Sequence, residues 1–275
     1  FYVHMDLFEE ACKFRSGRRV WARLLSERYG VTDEKALHFR FGVVCGGSSL
    51  TSAQPYNNIV RVAIENIAAV LGGAQSIFTC AYDEAFQIPT EFSAEIALRT
   101  QQIVQHESGI VATVDPLGGS YYVEWLTDQM EQGMLQVMGE IDAYGGVVKA
   151  IEDGWLQRRI AVRAKQKKDA TDRGERVVVG QNQFRREAQA DSYGEVFRLD
   201  PQISARVLAK HAELKRGRDT ARVERSLAAL EAAAATDTHN LMPLLVECCH
   251  AYATVGEMVQ RLKRCWGEFQ EPVRL

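Results

Sequence analysis

The chain has 275 residues, of which 46% are hydrophobic and 25% are charged, and its formal net charge is −3. This composition is that of an ordinary globular protein with enough apolar residues for a sizeable core. It excludes nucleic-acid binding, which needs a basic stripe or patch that this charge balance does not provide. It also excludes a membrane helix, which needs a run of about 18 apolar residues that the sequence lacks.

The amino terminus and the cysteines bear on the cellular compartment. The first residues, FYVHMDLFEEACKF, lack the basic start and apolar stretch of a signal peptide, and the missing initiator Met predicts a processed product or part of a longer chain. The six cysteines show no CxxC spacing, which favours free buried thiols in a reducing cytoplasm. Cys248, Cys249 and His250 are consecutive and would point in different directions on a helix, so we predict no metal site.

The first half of the chain alternates helices with strands. Phe8, Ala11 and Cys12 recur at helical spacing, Gly30 follows as a C-cap, and Thr90 can cap a later helix. The order favours parallel βα units, as in a doubly wound sheet or a (β/α)8 barrel. The sequence has no GxGxxG motif that opens a helix after a strand, and this disfavours a dinucleotide-binding sheet. The predicted helices cover residues 5–29, 58–71 and 90–107, and the predicted strands cover residues 36–44, 75–80 and 111–114.

After Ser120 the pattern becomes mostly helical. A short strand or extended segment is predicted over 177–184 and an extended linker over 188–201. The predicted helices cover residues 122–143, 147–153, 155–171, 203–216, 220–235 and 241–269, the last one broken near Gly256.

Three loops follow the predicted strands, at residues 46–49, 81–85 and 115–120. In a βα barrel the active site lies at the carboxyl ends of the strands. Glycines there let the backbone approach a large flat ligand, and Asp83 and Glu84 supply acceptors for its hydroxyls or amides. Taken singly, each glycine pair is better explained as a structural turn. His4 ends a further strand, where it either faces substrate or is a packed polar residue.

The chain resembles the large subunit of the methylmalonyl-CoA mutase family. The segments that carry this resemblance are QPYNNIVRVAIENIAAVLGGAQSIFTCAYDEAFQIPTEFSAEIALRTQQIVQHESG, DPLGGSYYVEWLT, GGVVKAIEDG and VVVGQNQF. It implies an α/β fold: the C-terminal portion of a (β/α)8 TIM barrel over 1–120, helices packing on the barrel over 121–185, and a linker with a mostly helical extension over 186–275.

The resemblance also implies a function, the radical 1,2-rearrangement of an acyl-CoA by an adenosylcobalamin-dependent mutase. It assigns no catalytic residue and no metal ligand within this chain. The substrate contacts that it implies are Arg40, Val44, Gln75 and Ser76. The cobalamin contacts that it implies are Gly42, Gly47, Glu84, Ala85 and Ile88.

One departure from the family concerns the site itself. The family strand typically reads Arg-x-His-x-Gln with a glycine three residues on, whereas this chain has Arg40, Gly42 and Val44 before Gly47. Loss of the two polar groups relaxes or redirects substrate choice. We therefore hypothesise a larger or more apolar acyl-CoA than methylmalonyl-CoA. The alternative is a non-catalytic structural paralogue.

Two further departures concern what the chain lacks. The first half of the barrel is absent, so another polypeptide or an N-terminal segment is expected to complete it, because open strand edges are a liability. The Asp-x-His-x-x-Gly signature of a cobalamin-binding domain is also absent: Asp237, Thr238 and His239 begin a similar pattern that ends in Met242, and we interpret it as a loop before the last helix. A small cobalamin-binding subunit and a hetero-oligomer are therefore expected.

Overall fold

A computed structural model of the chain describes residues 1–186, 197–236 and 238–272. The described residues group into two compact units that divide between residues 197 and 198. Among them, the first unit contains the strands and the second contains only helices. No described helix is long and apolar enough to cross a membrane.

The first unit is built on a sheet of three parallel strands, β1 (Tyr2–Val3), β2 (Gly42–Cys45) and β3 (Ser76–Phe78), in that spatial order. The register places Tyr2 beside Val44 and Gly42 beside Ser76. Parallel neighbours need a crossover connection, usually a helix. The strands therefore form consecutive βα units, as the alternation of the sequence predicts.

Helices supply these crossovers. The helix α1 (Leu7–Glu27) joins β1 to β2, with the short α2 (Glu34–Leu37) after it, and α3 (Asn57–Leu71) joins β2 to β3. The helix α4 (Glu91–His106) follows β3 and begins at Thr90, whose side chain and that of Ser93 form a capping box. The apolar side chains between these helices and the sheet form one core, which includes Val3, Phe14, Phe41, Val43, Cys45, Val62 and Ala68.

Three more helices complete the first unit: α5 (Tyr121–Tyr144), α6 (Val147–Glu152) and α7 (Trp155–Asp172). The helix α5 packs along α1. Residues 177–184, predicted as a strand or extended segment, form a turn in which a single bridge joins Val179 and Gln183. Part of the predicted linker, residues 188–196, lies outside the described residues.

The second unit contains α8 (Pro201–Gly217), α9 (Thr220–Ala234), α10 (Met242–His250) and α11 (Val255–Trp266). The predicted break near Gly256 lies a few residues earlier, because Thr254 caps α11 in a capping box with Glu257. A separate apolar core holds the last three helices together; it includes Val223, Leu227, Leu230, Cys248, Ala251 and Met258.

Two predicted strands are wrong in extent or in kind. The strand predicted over 36–44 begins only at Gly42, because Asp33 caps α2 and the residues after it precede the paired region. The strand predicted over 111–114 is a short 3-10 turn, Ile110–Ala112, entered from Gly109 at φ +71°. Val114 is 93% exposed, so no described strand pairs with this segment. The third strand of the sheet is β1 instead.

Candidate functional site

The two faces of the sheet differ in what covers them. Val43 and Cys45 are buried against the helices. Successive side chains point to opposite faces of a strand, so Val44 lies on the other face, with Tyr2 and Phe78 on the neighbouring strands. Tyr2 is 63% exposed and Phe78 is 62% exposed, and no described element covers them. Because parallel sheets are normally covered on both faces, this open face is a candidate binding surface.

Gly42 and Ser76 lie side by side on the open face. A Cβ atom on Gly42 would lie 2.7 Å from the Ser76 hydroxyl oxygen. A side chain at residue 42 would therefore displace that hydroxyl. The glycine leaves a shallow, accessible strip between β2 and β3, and the hydroxyl is available within it.

At the amino edge of the sheet, Gln75 contacts the backbone at both ends of its amide. Its Oε1 accepts from the Phe41 N–H at 2.7 Å, and its Nε2 donates to the Gly73 carbonyl at 2.9 Å. Arg40 is exposed nearby, and Arg40, Gln75 and Arg18 line a cavity of about 510 Å³. Gln75 thus fixes the starts of β2 and β3, and its contact with substrate stays a prediction.

At the carboxyl edge, the loops after β2 and β3 approach each other. A Cβ atom on Gly47 would lie 3.6 Å from Oε1 of Glu84, an ordinary contact distance. Glu84, Ala85 and Ile88 are exposed on the second loop. The predicted cobalamin contacts, Gly42 apart, are therefore brought together here.

Asp83 is not the exposed acceptor for a ligand that its position in the sequence predicts. Its side chain has no exposed surface. The carboxylate accepts a hydrogen bond from Nε2 of Gln87 at 2.8 Å. Asp83 therefore supports the loop from within, and Glu84 is the acceptor that faces outward.

Asn58 and Arg61 are buried polar residues that sequence reasoning missed. Asn58, at the start of α3, donates to the carbonyls of Thr51 and Tyr82 at 2.8 Å each, so it joins the two loops. The available signal was the pair of asparagines in PYNN, just where a helix begins. Asparagine there is also a common capping residue, and so the pattern did not single it out.

Titratable groups cluster behind the loop after β2. Burial raises the pKa of Glu65 to about 7. His4 lies with Nδ1 3.3 Å from the Ser49 hydroxyl, and burial lowers its pKa. Burial also raises the pKa of Cys45 to about 12. This thiol therefore stays protonated near neutral pH, which makes it a poor nucleophile.

The third predicted loop lies elsewhere. Asp115 and Glu124 accept hydrogen bonds from the buried guanidinium of Arg15 on α1, at 3.1 Å and 2.8 Å. The Gly119 N–H donates to Glu124 as well. Because residues 111–114 are not a strand, the turn after them anchors α5 to α1. It does not contribute to the carboxyl edge of the sheet.

The predicted site residues lie along one strip. Arg40 and Gln75 lie at the amino edge, Gly42, Val44 and Ser76 lie on the open face, and the remaining contacts lie at the carboxyl edge. Within the described part of the chain, no group of three or more His, Cys, Asp or Glu side chains could hold a metal ion.

Comparison with known proteins identifies relatives of this chain. A family model described as methylmalonyl-CoA mutase matches residues 1–268. The chain is 41% identical to the 2-hydroxyisobutanoyl-CoA mutase large subunit of Aquincola tertiaricarbonis, over 97% of this chain and 47% of that protein. It is 40% identical to the mitochondrial methylmalonyl-CoA mutase of Homo sapiens, over 99% of this chain and 36% of that protein. It thus spans less than half the length of these relatives.

Proposed function

The chain belongs to the methylmalonyl-CoA mutase family, and from that premise we propose that it forms the acyl-CoA-binding part of an adenosylcobalamin-dependent acyl-CoA mutase. Such an isomerase rearranges the carbon skeleton of its substrate by a radical 1,2-shift. The order of the predicted residues along the strip carries the proposal. The residues predicted to contact substrate lie at the amino edge and on the open face, and those predicted to contact the cofactor, Gly42 apart, lie at the carboxyl edge.

The fold that we propose for the whole protein is a (β/α)8 barrel, of which residues 1–120 form the C-terminal part. The consecutive parallel βα units support this, and so does the uncovered face carrying Tyr2 and Phe78. Residues 121–185 would pack on the barrel, and 186–275 would form the linker and helical extension. The missing strands would come from a further segment or a partner chain, which would cover the open edges.

When bound, adenosylcobalamin supplies the organic radical that starts the rearrangement. The residues of this chain would bind and orient it. Gly47 and Ala85 leave room for its flat face, Ile88 offers apolar contact, and Glu84 accepts from its amides. We assign no catalytic residue to this chain.

For the substrate we propose an acyl-CoA that is larger or more apolar than methylmalonyl-CoA. Gly42 and Val44 present no hydrogen-bonding side chain on the open face, so a second carboxylate on the acyl group would find no partner from them. Without such partners at residues 42 and 44, the site favours a charged acyl group less. One relative of this chain is named for 2-hydroxyisobutanoyl-CoA, which is consistent with an altered acyl group.

Partners follow from the same proposal. The name of that relative includes "large subunit", and we infer a small subunit that binds cobalamin, within a cytoplasmic hetero-oligomer. Size-exclusion chromatography of this chain expressed alone tests the dependence on partners. A stable monomer with a cooperative melt would contradict it.

The alternative function is a non-catalytic structural subunit of such a mutase. The same replacements, Gly42 and Val44, favour it, because they remove polar groups from the site. Turnover by the complete enzyme distinguishes the two functions.

The deciding experiment uses the complete enzyme with its partner chains, adenosylcobalamin and a panel of acyl-CoA substrates. Glu84→Ala removes an acceptor at the carboxyl edge and should lower turnover about tenfold or more. Glu95→Ala is the matched control, because Glu95 is exposed on α4 and pairs with Arg99 one turn away. Methylmalonyl-CoA as the best substrate would refute the substrate proposal, and no turnover of any acyl-CoA would favour the structural subunit.

A further inference from the structure

The loops that carry Gly47 and Glu84 share one buried support. Asn58 has no exposed surface. Its Oδ1 accepts from the Thr51 N–H at 3.1 Å, and its Nδ2 donates to the carbonyls of Thr51 and Tyr82. Thr51 follows Gly47 in the first loop, and Tyr82 precedes Glu84 in the second. One amide thus uses its hydrogen-bonding groups to hold the loops at a fixed separation.

Arg61 extends this support to a third segment. It lies one turn after Asn58 on α3 and is 8% exposed. One guanidinium nitrogen donates to Oδ1 of Asn58 at 2.6 Å, and the other donates to the Val179 carbonyl at 2.7 Å. The fork of the guanidinium therefore joins the loops to the turn over 177–184. A lysine ammonium would not reproduce this planar two-way contact.

The charge of Arg61 is not neutralised by a neighbouring carboxylate. None of the ion pairs among residues 1–186, 197–236 and 238–272 includes it, and burial alone lowers its pKa. Burying a cation is costly unless it is paired or well hydrogen-bonded. Apolar packing would hold α3 in place at lower cost. A buried arginine bound only by neutral oxygen atoms therefore indicates that the position of those oxygen atoms matters.

We propose that Asn58 and Arg61 are positioning residues that set the separation of the two carboxyl-edge loops and couple both loops to the turn over 177–184. Neither residue reaches the ligand. They act through Gly47 and Glu84, whose geometry decides whether a flat cofactor fits, since a displacement of about 1 Å in a site can cost about a hundredfold in activity. The identity of that cofactor rests on the proposed function, whereas the support itself does not.

The test uses Arg61→Lys in the complete enzyme, with Arg99→Lys as control, because Arg99 is exposed on α4 and pairs with Glu95. Without ligand, we expect amide hydrogen exchange over residues 46–55 and 80–88 to become about tenfold faster in Arg61→Lys only. The dissociation constant for adenosylcobalamin should rise about tenfold. The KM for acyl-CoA should be less affected, because Arg40 and Gln75 lie at the other edge.

A second variant guards against misfolding. Asn58→Asp keeps the shape of the side chain and the acceptor for Arg61 but loses donation to the carbonyls of Thr51 and Tyr82, so exchange should quicken over both 46–55 and 80–88. Unchanged exchange and cofactor affinity in both variants would overturn the proposal. An equal rise in KM and cofactor dissociation constant with a lower melting temperature would indicate a merely structural role and overturn it too. A wild-type enzyme that binds no cobalamin would refute the proposed function, while the exchange data would still decide the positioning role.

Discussion

Glu65 is a single carboxylic acid that the fold buries completely beside the loop after β2. Its pKa of about 7 when folded lies above the ordinary value of 4.5. Below pH 4.5 the group is protonated in the folded and unfolded states and costs nothing. As pH rises toward 7, the folded state must keep a proton or bury a charge, so the free energy of unfolding falls by up to about 3 kcal/mol.

We expect Glu65→Gln to remove this pH dependence. Urea denaturation at pH 5 and pH 8 measures it. From pH 5 to pH 8, the free energy of unfolding of the variant should rise by about 2–3 kcal/mol relative to that of the wild type. Glu152→Gln is the control, because Glu152 is exposed on α6. Equal pH dependence in the wild type and Glu65→Gln would contradict the burial of a carboxyl group here.

Gly46 and Gly47 are neighbours with different constraints. A Cβ atom on Gly46 would lie 2.8 Å from the Val3 carbonyl and closer still to the His4 ring, whereas on Gly47 it would meet only Glu84, at an ordinary distance. Gly46→Ala should therefore lower the free energy of unfolding by about 2–3 kcal/mol, as overpacking does. Gly47→Ala should leave thermal stability nearly unchanged but weaken binding of adenosylcobalamin to the complete enzyme. Equal melting temperatures for the two variants would refute this distinction.

At the scale of elements, Arg15 joins α1 to α5. The guanidinium is 8% exposed and donates to Oγ1 of Thr127 and Oε1 of Glu124, both at 2.8 Å. Arg15→Met removes these bonds, and we expect a loss of about 2–3 kcal/mol in chemical denaturation, because its carboxylate partners are partly solvated. Arg19→Met, at an exposed position one turn away, should cost less than about 1 kcal/mol. Similar losses in both variants would mean that the charges matter generally and the buried contacts do not.

Some features of these elements could be predicted from the sequence, and others could not. Thr90 located the start of α4, because a helix cap is a local signal. The strand predicted over 111–114 was wrong because a short apolar run fits a strand and a turn equally well. Only the exposure of Val114 in the structure reveals that this segment has no neighbouring strand among the described residues. The contact of Arg15 with Glu124 spans more than a hundred residues and has no local signal. The strip could be predicted from a family resemblance, whereas the bonds of Asn58 that support it could not.

At the scale of the whole molecule, a substitution on the open face of the sheet should affect the stability of the isolated chain and of the complete enzyme differently. Phe78 is 62% exposed on that face, and Phe92 is 58% exposed on the outer helix α4. Phe78→Ser should leave the melting temperature of this chain nearly unchanged, because an exposed side chain contributes little to its own core. In the completed barrel the same side chain would be covered, and its loss should cost about 2–4 kcal/mol.

Thermal melts of the chain alone and of the complete enzyme measure both effects, and Phe92→Ser serves as the size-matched control. The acyl-CoA dissociation constant should rise in Phe78→Ser, because Phe78 borders Val44 on the strip. If Phe78→Ser unfolds the isolated chain, the face belongs to the core of this chain. If it changes neither the complete enzyme nor its ligand affinity, the face does not line the barrel, and the open side of the sheet needs another explanation.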